Sequence, residues 1–328
     1  MEQFNKIPGF GEDLSEVEKK LRAFVRDPYL REPLSTIISA VLDGEGKRLR
    51  PSVLLISARL GPDYGANRDR LTGLAAVMEL THTASLIHDD IVDDAATRRG
   101  RPTVQSAFGK DMAVYAGDYL LSKVLSYLMK NELTHAGSIL AKCIADMCAG
   151  EIAQYESQFD TAIDESKYFV NIAGKTAALF SASCEIGAAE AGCDRETVSY
   201  MSRFGHTLGI LFQMRDDLID CLSSGKKEGK ETGSDFRRGI YTLPVIYSFI
   251  ENGLGPELKE LANAFREGKG SEKQLERVRL IINESGGVEY TRWMIRQYRD
   301  RALGLLSKLQ DHIAVRALEE AVDFLAEC

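Results

Sequence analysis

Proline is scarce in this chain, with eight residues among 328, at positions 8, 28, 33, 51, 62, 102, 244 and 256. Long tracts are therefore free to run as helix, since an internal proline removes a backbone donor and clashes with the preceding turn. Basic charge is not in excess either: 41 Lys and Arg stand against 49 Asp and Glu, a net charge of −8. No nucleic-acid partner is expected, and any anion must be met by a local basic patch. No uncharged apolar run approaches the roughly 20 residues of a membrane-spanning helix. The opening MEQFNKIPGFGEDL lacks the basic-then-apolar order of a secretory leader. A cytoplasmic protein is expected. The six cysteines, at 143, 148, 184, 193, 221 and 328, form no CxxC pair and no zinc spacing, which suits reduced thiols.

What the sequence does have is apolar residues at helical spacing. Hydrophobic content is 44% and charged content 27%, ordinary for a soluble globular chain. The periodicity predicts helices over 34–43, 51–60, 68–94, 111–130, 132–160, 166–191, 195–222, 242–252, 256–266, 271–284, 288–306 and 310–327. Leu14-Ser15-Glu16-Val17-Glu18 reads as an earlier helix start, with Ser15 capping and Glu18 reaching back. Breaks fall at Gly44-Glu45-Gly46, Gly61-Pro62-Asp63, Gly100-Arg101-Pro102, Ser223 to Gly233, Gly268 to Ser271 and Ser285-Gly286-Gly287. No fixed repeat or low-complexity tract interrupts them. The fold class is all-α, a single domain over 1–328.

Two helices carry the chemistry. On a helix through Leu74 to Asp94, Asp89 and Asp93 lie about 40° apart, one turn from each other, with Asp90 offset by about 100° and Asp94 by about 140°. Carboxylates at i and i+4 repel unless a cation lies between them, and hard oxygen donors of this kind suit Mg²⁺ completed by substrate phosphates. The other reading is a solvated acidic helix end, which the apolar approach Ser85-Leu86-Ile87-His88 argues against. Gln213-Met214-Arg215-Asp216-Asp217-Leu218-Ile219-Asp220 repeats the arrangement: Asp216 and Asp220 share a face, with Gln213 about 60° from Asp216. Two such clusters, each ending a long apolar helix, point to several Mg²⁺ ions around one diphosphate.

Basic residues flank both clusters. Gly44-Glu45-Gly46-Lys47-Arg48-Leu49-Arg50-Pro51 puts three cations just before a helix opening at Pro51. Thr97-Arg98-Arg99-Gly100-Arg101-Pro102 puts three arginines after the first cluster, and arginine forks suit phosphate oxygens. Gly174-Lys175-Thr176 adds a cation and a hydroxyl, and Ser223 to Gly233, with Lys226, Lys227 and Lys230, reads as a mobile basic lid. Taken singly, each is equally a solvated surface or a linker. His82 projects about 20° from Asp89, two turns upstream, and a lone histidine is more often a satisfied core residue than a ligand.

Together these residues, from Gly46 to Pro244, resemble the trans-prenyl diphosphate synthase (polyprenyl synthetase) family over essentially the whole chain. The wording of THTASLIHDDIVDD, MCAGEIAQYE and GIYTLPVIY is most similar to the large catalytic components of bacterial heptaprenyl diphosphate synthases. The resemblance implies an isoprenoid-synthase-type helical bundle around a central deep cavity. It implies three Mg²⁺ ions on Asp89, Asp93 and Asp216, with Asp220 acting through water. It further implies Lys47, Arg50, His82 and Arg99 for isopentenyl diphosphate, and Arg98, Lys175, Thr176, Gln213 and Lys230 for the allylic diphosphate. Of these, Lys175, Thr176, Gln213 and Lys230 count as catalytic. One departure stands out: the family often has Lys in GKxTLP, where this chain reads Gly239-Ile240-Tyr241-Thr242-Leu243-Pro244. Arg237 and Arg238 are the candidate replacements.

The expected chemistry is ionisation of the allylic diphosphate, attack by the isopentenyl double bond, and proton loss. It needs no protein nucleophile, and no Ser/His or Cys/His arrangement is recognisable. One helical turn is about 5.4 Å, comparable to one extended isoprene unit, so the residue one turn above Asp89 floors the tail. That residue is Ser85, small, with Ala84 beside it, where members that stop at short products often carry an aromatic. Ala84 lies about 140° from Asp89, so its part rests on the resemblance alone. Thr81, Met78 and Leu74 set the depth beyond. A product of about C30–C40 for a quinone side chain is expected, from a homodimer or a heterodimer with a small subunit, with peripheral membrane contact at most for product release. Alternatives are a short-chain geranylgeranyl or farnesyl diphosphate synthase, a class I terpene cyclase, and a non-catalytic regulatory subunit. A cyclase normally has an Asn/Ser/Glu motif in place of the second cluster, and a regulatory subunit tends to lose site residues.

Overall fold

The structure, a computed structural model, describes residues 4–44, 46, 48–98, 100–222 and 233–327. After a single 3₁₀ turn, Phe4–Lys6, come α1 (Phe10–Val25), α2 (Leu34–Leu42), α3 (Leu49–Ala58) and the long α4 (Arg68–Val92). A two-residue antiparallel pair follows, β1 (Thr97–Arg98) and β2 (Arg101–Pro102), with Thr97 opposite Pro102 and Arg98 opposite Arg101. Next are α5 (Val104–Phe108), α6 (Lys110–Lys130), α7 (Thr134–Glu156) and α8 (Glu165–Ile172), then a π-helical turn over Ala173–Ala177 that leads into α9 (Ala178–Glu190). The chain finishes with α10 (Arg195–Leu222), α11 (Ser234–Arg237), α12 (Leu243–Phe249), α13 (Gly255–Arg266), α14 (Glu272–Glu284), α15 (Gly287–Leu306) and α16 (Ile313–Ala326). The all-α reading holds, and none of these helices is long and apolar enough to cross a membrane.

The chain divides into two compact units. The first comprises Met1–Lys142, Leu179–Gly205 and Leu305–Ala321. Its centre is α4, buried on every side from Leu71 to Thr81, as a helix that is apolar all round must be; α1, α3 and α6 pack against it. The second unit comprises Cys143–Ala178, His206–Gly304 and Val322–Cys328. There α12, α13 and α14 pack on one another around edge-on aromatic pairs, Phe236 with Phe265 at 5.6 Å and Tyr241 with Phe249 at 4.9 Å. Such rings each contribute about 2–3 kcal/mol on burial.

One helix start differs from expectation in an instructive way. Ser15 does not cap a helix: α1 already begins at Phe10, after Gly9 at φ 73°. The buried face Phe10, Asp13, Val17, Leu21 and Val25 continues past Ser15 at helical spacing, and burial of Phe10 outweighs a local cap. The capping box occurs instead at α14, where Ser271 and Gln274 satisfy each other's backbone.

Candidate active site

The first acidic cluster closes α4. Asp93 caps the helix, its N–H donating to the Asp89 carbonyl at 2.8 Å, so helical geometry persists far enough to hold Asp89 and Asp93 one turn apart. Asp94 then takes a left-handed φ of 48° and turns the chain back toward β1. Thr103 and Gln105 both donate to the Ala95 carbonyl, at 2.6 and 2.8 Å, which pins this return. Arg98 is thereby carried over the helix end, where its Nε donates to Asp90 Oδ1 at 2.8 Å. Asp90 is 6% exposed, while Asp89 and Asp93 are half-buried. Lys110 pairs with Asp94 at 2.9 Å.

Beside this cluster, α3 and α4 bring Arg50 and His82 together, Nη1 to Nε2 at 3.0 Å. Arginine has no acceptor, so in this contact the guanidinium donates to Nε2. The Arg50 guanidinium also lies 4.9 Å from the centre of the Phe180 ring. Arg48, by contrast, points to Glu18 and Glu79, at 2.5 and 2.9 Å, and serves the packing of α1 and α4. Lys47 and Arg99 lie outside the described residues. One turn above Asp89, Ser85 is half-buried and donates to the His82 carbonyl at 2.9 Å. Ala84 is 0% exposed, and Thr81, Met78 and Leu74 are buried further along.

The second cluster, on α10, has Asp216 exposed, Asp220 half-buried and Asp217 only 4% exposed. Asp217 Oδ2 accepts the Tyr168 hydroxyl at 2.6 Å and Oδ1 accepts Gln213 Nε2 at 2.8 Å. Gln213 Oε1 in turn accepts the Thr176 hydroxyl at 2.6 Å. Burial pushes the Asp217 carboxyl up to about 7, helped by the charges of Asp235 and Asp216 and opposed by its Tyr168 and Gln213 donors. Burial also holds the Tyr168 phenol well above its usual range, so it remains a donor.

Lys175 and Thr176 sit on the π-helical turn, a local widening of the helix often found at functional sites. The turn is seated on α7 at two glycines. A Cβ on Gly150 would lie 2.6 Å from the Lys175 nitrogen, and one on Gly174 2.6 Å from the Asp146 carbonyl. Lys175 is thus placed against Glu151 of α7, Nζ to Oε1 at 2.8 Å. Ile240 lines a cleft with Asp220, Asp235 and Arg279. Of the two proposed substitutes for a lysine there, Arg237 is paired with Glu272 and stacked 5.7 Å from the Phe265 ring. Lys226, Lys227, Lys230 and the lid expectation over 223–232 fall outside the described residues.

Sequence reasoning missed Tyr168, Glu151 and Arg279. Nothing in the local pattern marks Tyr168; the only available signal was the roughly 100° offset of Asp217 from Asp216, which turns it inward. The outer carboxylates fit Mg²⁺ by their chemistry: hard oxygens in i, i+4 pairs. Among the described residues no three His, Cys, Asp or Glu side chains converge as a ready cage, so the remaining ligand positions would fall to water and substrate oxygens.

Comparison with known proteins points to one family. The family model described as polyprenyl synthetase matches residues 31–282. The heptaprenyl diphosphate synthase component 2 of Geobacillus stearothermophilus is 35% identical, over 91% of this chain and 90% of that protein. The heptaprenyl diphosphate synthase structure from Staphylococcus aureus superposes with a TM-score of 0.88 at 30% identity, covering 97% of this chain and 98% of that one. A polyprenyl synthase from Caulobacter crescentus CB15, complexed with calcium and isoprenyl diphosphate, gives a TM-score of 0.88 at 31% identity, over 97% and 95% of the two chains.

Proposed function

The chain belongs to the polyprenyl synthetase family, and from that premise we propose that it is a chain-elongating trans-prenyltransferase condensing isopentenyl diphosphate with an allylic diphosphate such as farnesyl diphosphate. One observation carries the site assignment. In both DDxxD segments the inner aspartate is buried and bonded to protein groups, while the outer pairs, Asp89 with Asp93 and Asp216 with Asp220, are the more exposed carboxylates. Asp89, Asp93 and Asp216 then ligate Mg²⁺, three ions in all, with Asp220 acting through water. When bound, Mg²⁺ neutralises the diphosphate and withdraws electrons from its C–O bond.

The protein's own groups do the positioning. Arg50 and His82, with Lys47 and Arg99, hold isopentenyl diphosphate. Arg98, Lys175, Thr176, Gln213 and Lys230 make up the allylic diphosphate site. Arg279, in the cleft it shares with Ile240 and Asp220, supplies the cation that position 240 lacks. Ser85 and Ala84 leave the tail path open, so the product is a polyprenyl diphosphate of about C30–C40, heptaprenyl in type, for a quinone side chain. The unit of function is the domain over 1–328, cytoplasmic, as a homodimer or with a small second subunit, and touching a membrane only to release product.

Incubating the purified chain, with and without a candidate small subunit, with Mg²⁺, isopentenyl diphosphate and farnesyl diphosphate tests this reading. Products in the C30–C40 range are expected; an end point at C15 or C20 contradicts the open floor, and no condensation under any arrangement favours a regulatory subunit.

A further inference from the structure

The hydrogen bonds around Asp217 fix which atoms there can meet an anion. Gln213 turns Nε2 toward Asp217 and donates to its Oδ1 at 2.8 Å. Its Oε1 is then left facing Thr176, and the threonine has to commit its single hydroxyl proton to that oxygen at 2.6 Å. Thr176 is also only 5% exposed, whereas Gln213 is half-buried. A diphosphate oxygen requires a donor. Thr176 in this arrangement presents lone pairs, while Gln213 still carries a second N–H on Nε2. The polarity of the chain is anchored at its far end by Tyr168, 3% exposed, whose hydroxyl donates to Asp217 Oδ2 at 2.6 Å.

We infer that Tyr168 and Thr176 are positioning residues which orient the Gln213 amide from opposite ends, and that Gln213 alone of the three hands an N–H to the diphosphate. This rests on the allylic diphosphate site proposed above and divides its labour. Tyr168, on α8, and Thr176, on the π-helical turn, act through Asp217 and Gln213 without touching the ligand. The buried hydroxyl of Tyr168 would otherwise be an odd feature to retain so close to an acidic cluster.

The test is a double-mutant cycle read by calorimetric binding of inorganic diphosphate with Mg²⁺, beside turnover of the unmodified chain. Gln213→Leu should weaken diphosphate binding roughly 10- to 100-fold, the loss of one hydrogen bond to a charged group. Thr176→Val and Tyr168→Phe should each weaken it several-fold, and Thr176→Ser should restore it. The doubles with Gln213→Leu should bind no worse than Gln213→Leu alone, because residues acting through one group do not add. Losses that multiply in Thr176→Val/Gln213→Leu overturn the inference, as does failure of the unmodified chain to bind diphosphate. If the chain binds diphosphate with the non-additive pattern yet makes no prenyl product, the inference stands and the functional reading falls. Thermal melts identify any variant that has lost its fold; should Tyr168→Phe be one, the Thr176 and Gln213 arm decides alone.

Discussion

In the first cluster the inner aspartate, Asp90, is held by a cation, Arg98; in the second, Asp217 is held by two neutral donors, Tyr168 and Gln213. The motif is the same and the burial nearly so, at 6% and 4%. In the first cluster Arg98 pairs with Asp90, and Lys110, at the start of α6, pairs with Asp94. Beside the second, the charges of Asp216 and Asp235 bear on Asp217, and among the described residues the adjoining cleft is lined by Asp220, Asp235 and Arg279. A shared sequence signature therefore fixes the outer carboxylates and says nothing about how the inner one is satisfied. The difference lies in what the fold brings alongside: a returning loop in one case, a neighbouring helix and a widened turn in the other.

The strongest way to break the comparison is to remove an outer carboxylate from each side. Asp89→Ala and Asp216→Ala should each cut turnover roughly 10²- to 10³-fold, the usual loss when one preorganised electrostatic group is deleted. Steady-state product formation measures it, and activity indifferent to Asp89→Ala would refute the metal assignment. Next in size is a change specific to the first helix. Ser85→Phe should shorten the product to C15–C20, as chromatography of the released prenols would reveal, whereas Arg279→Gln should lower rate without altering length.

The inner aspartates give smaller, structural effects. Arg98→Ala removes a charged donor from a buried carboxylate and should lower stability by about 2–3 kcal/mol, read from denaturant midpoints. Tyr168→Phe removes one neutral donor and should lower it by about 1–2 kcal/mol. Equal losses would mean that the charge on Arg98 adds nothing beyond its hydrogen bond.

Much of this was open to reading from the residues. The α10 bounds agree with the expected 195–222, and α4 ends within two residues of the expected 94, because both are long and strongly periodic. The shared face of the outer aspartates follows from helical spacing alone, and Arg50 and His82, grouped together in the sequence reading, do meet. What stayed hidden depends on contacts distant in the chain. Tyr168 reaches Asp217 across 49 positions, and Lys175 is set by a glycine contact between α7 and the π-helical turn. Arg98 is also folded back onto Asp90 through the left-handed turn at Asp94. Local pattern gives no account of either.

The most direct measurement compares Asp→Asn variants at positions 89, 90, 216 and 217 for thermal stability and for the Mg²⁺ concentration that half-saturates turnover. Asn at 89 or 216 should raise the Mg²⁺ requirement and depress turnover with the melting temperature nearly unchanged, whereas Asn at 90 or 217 should lower the melting temperature and leave the Mg²⁺ requirement in place. The reverse pattern, with the inner pair governing Mg²⁺, would contradict the division of roles on which the account stands.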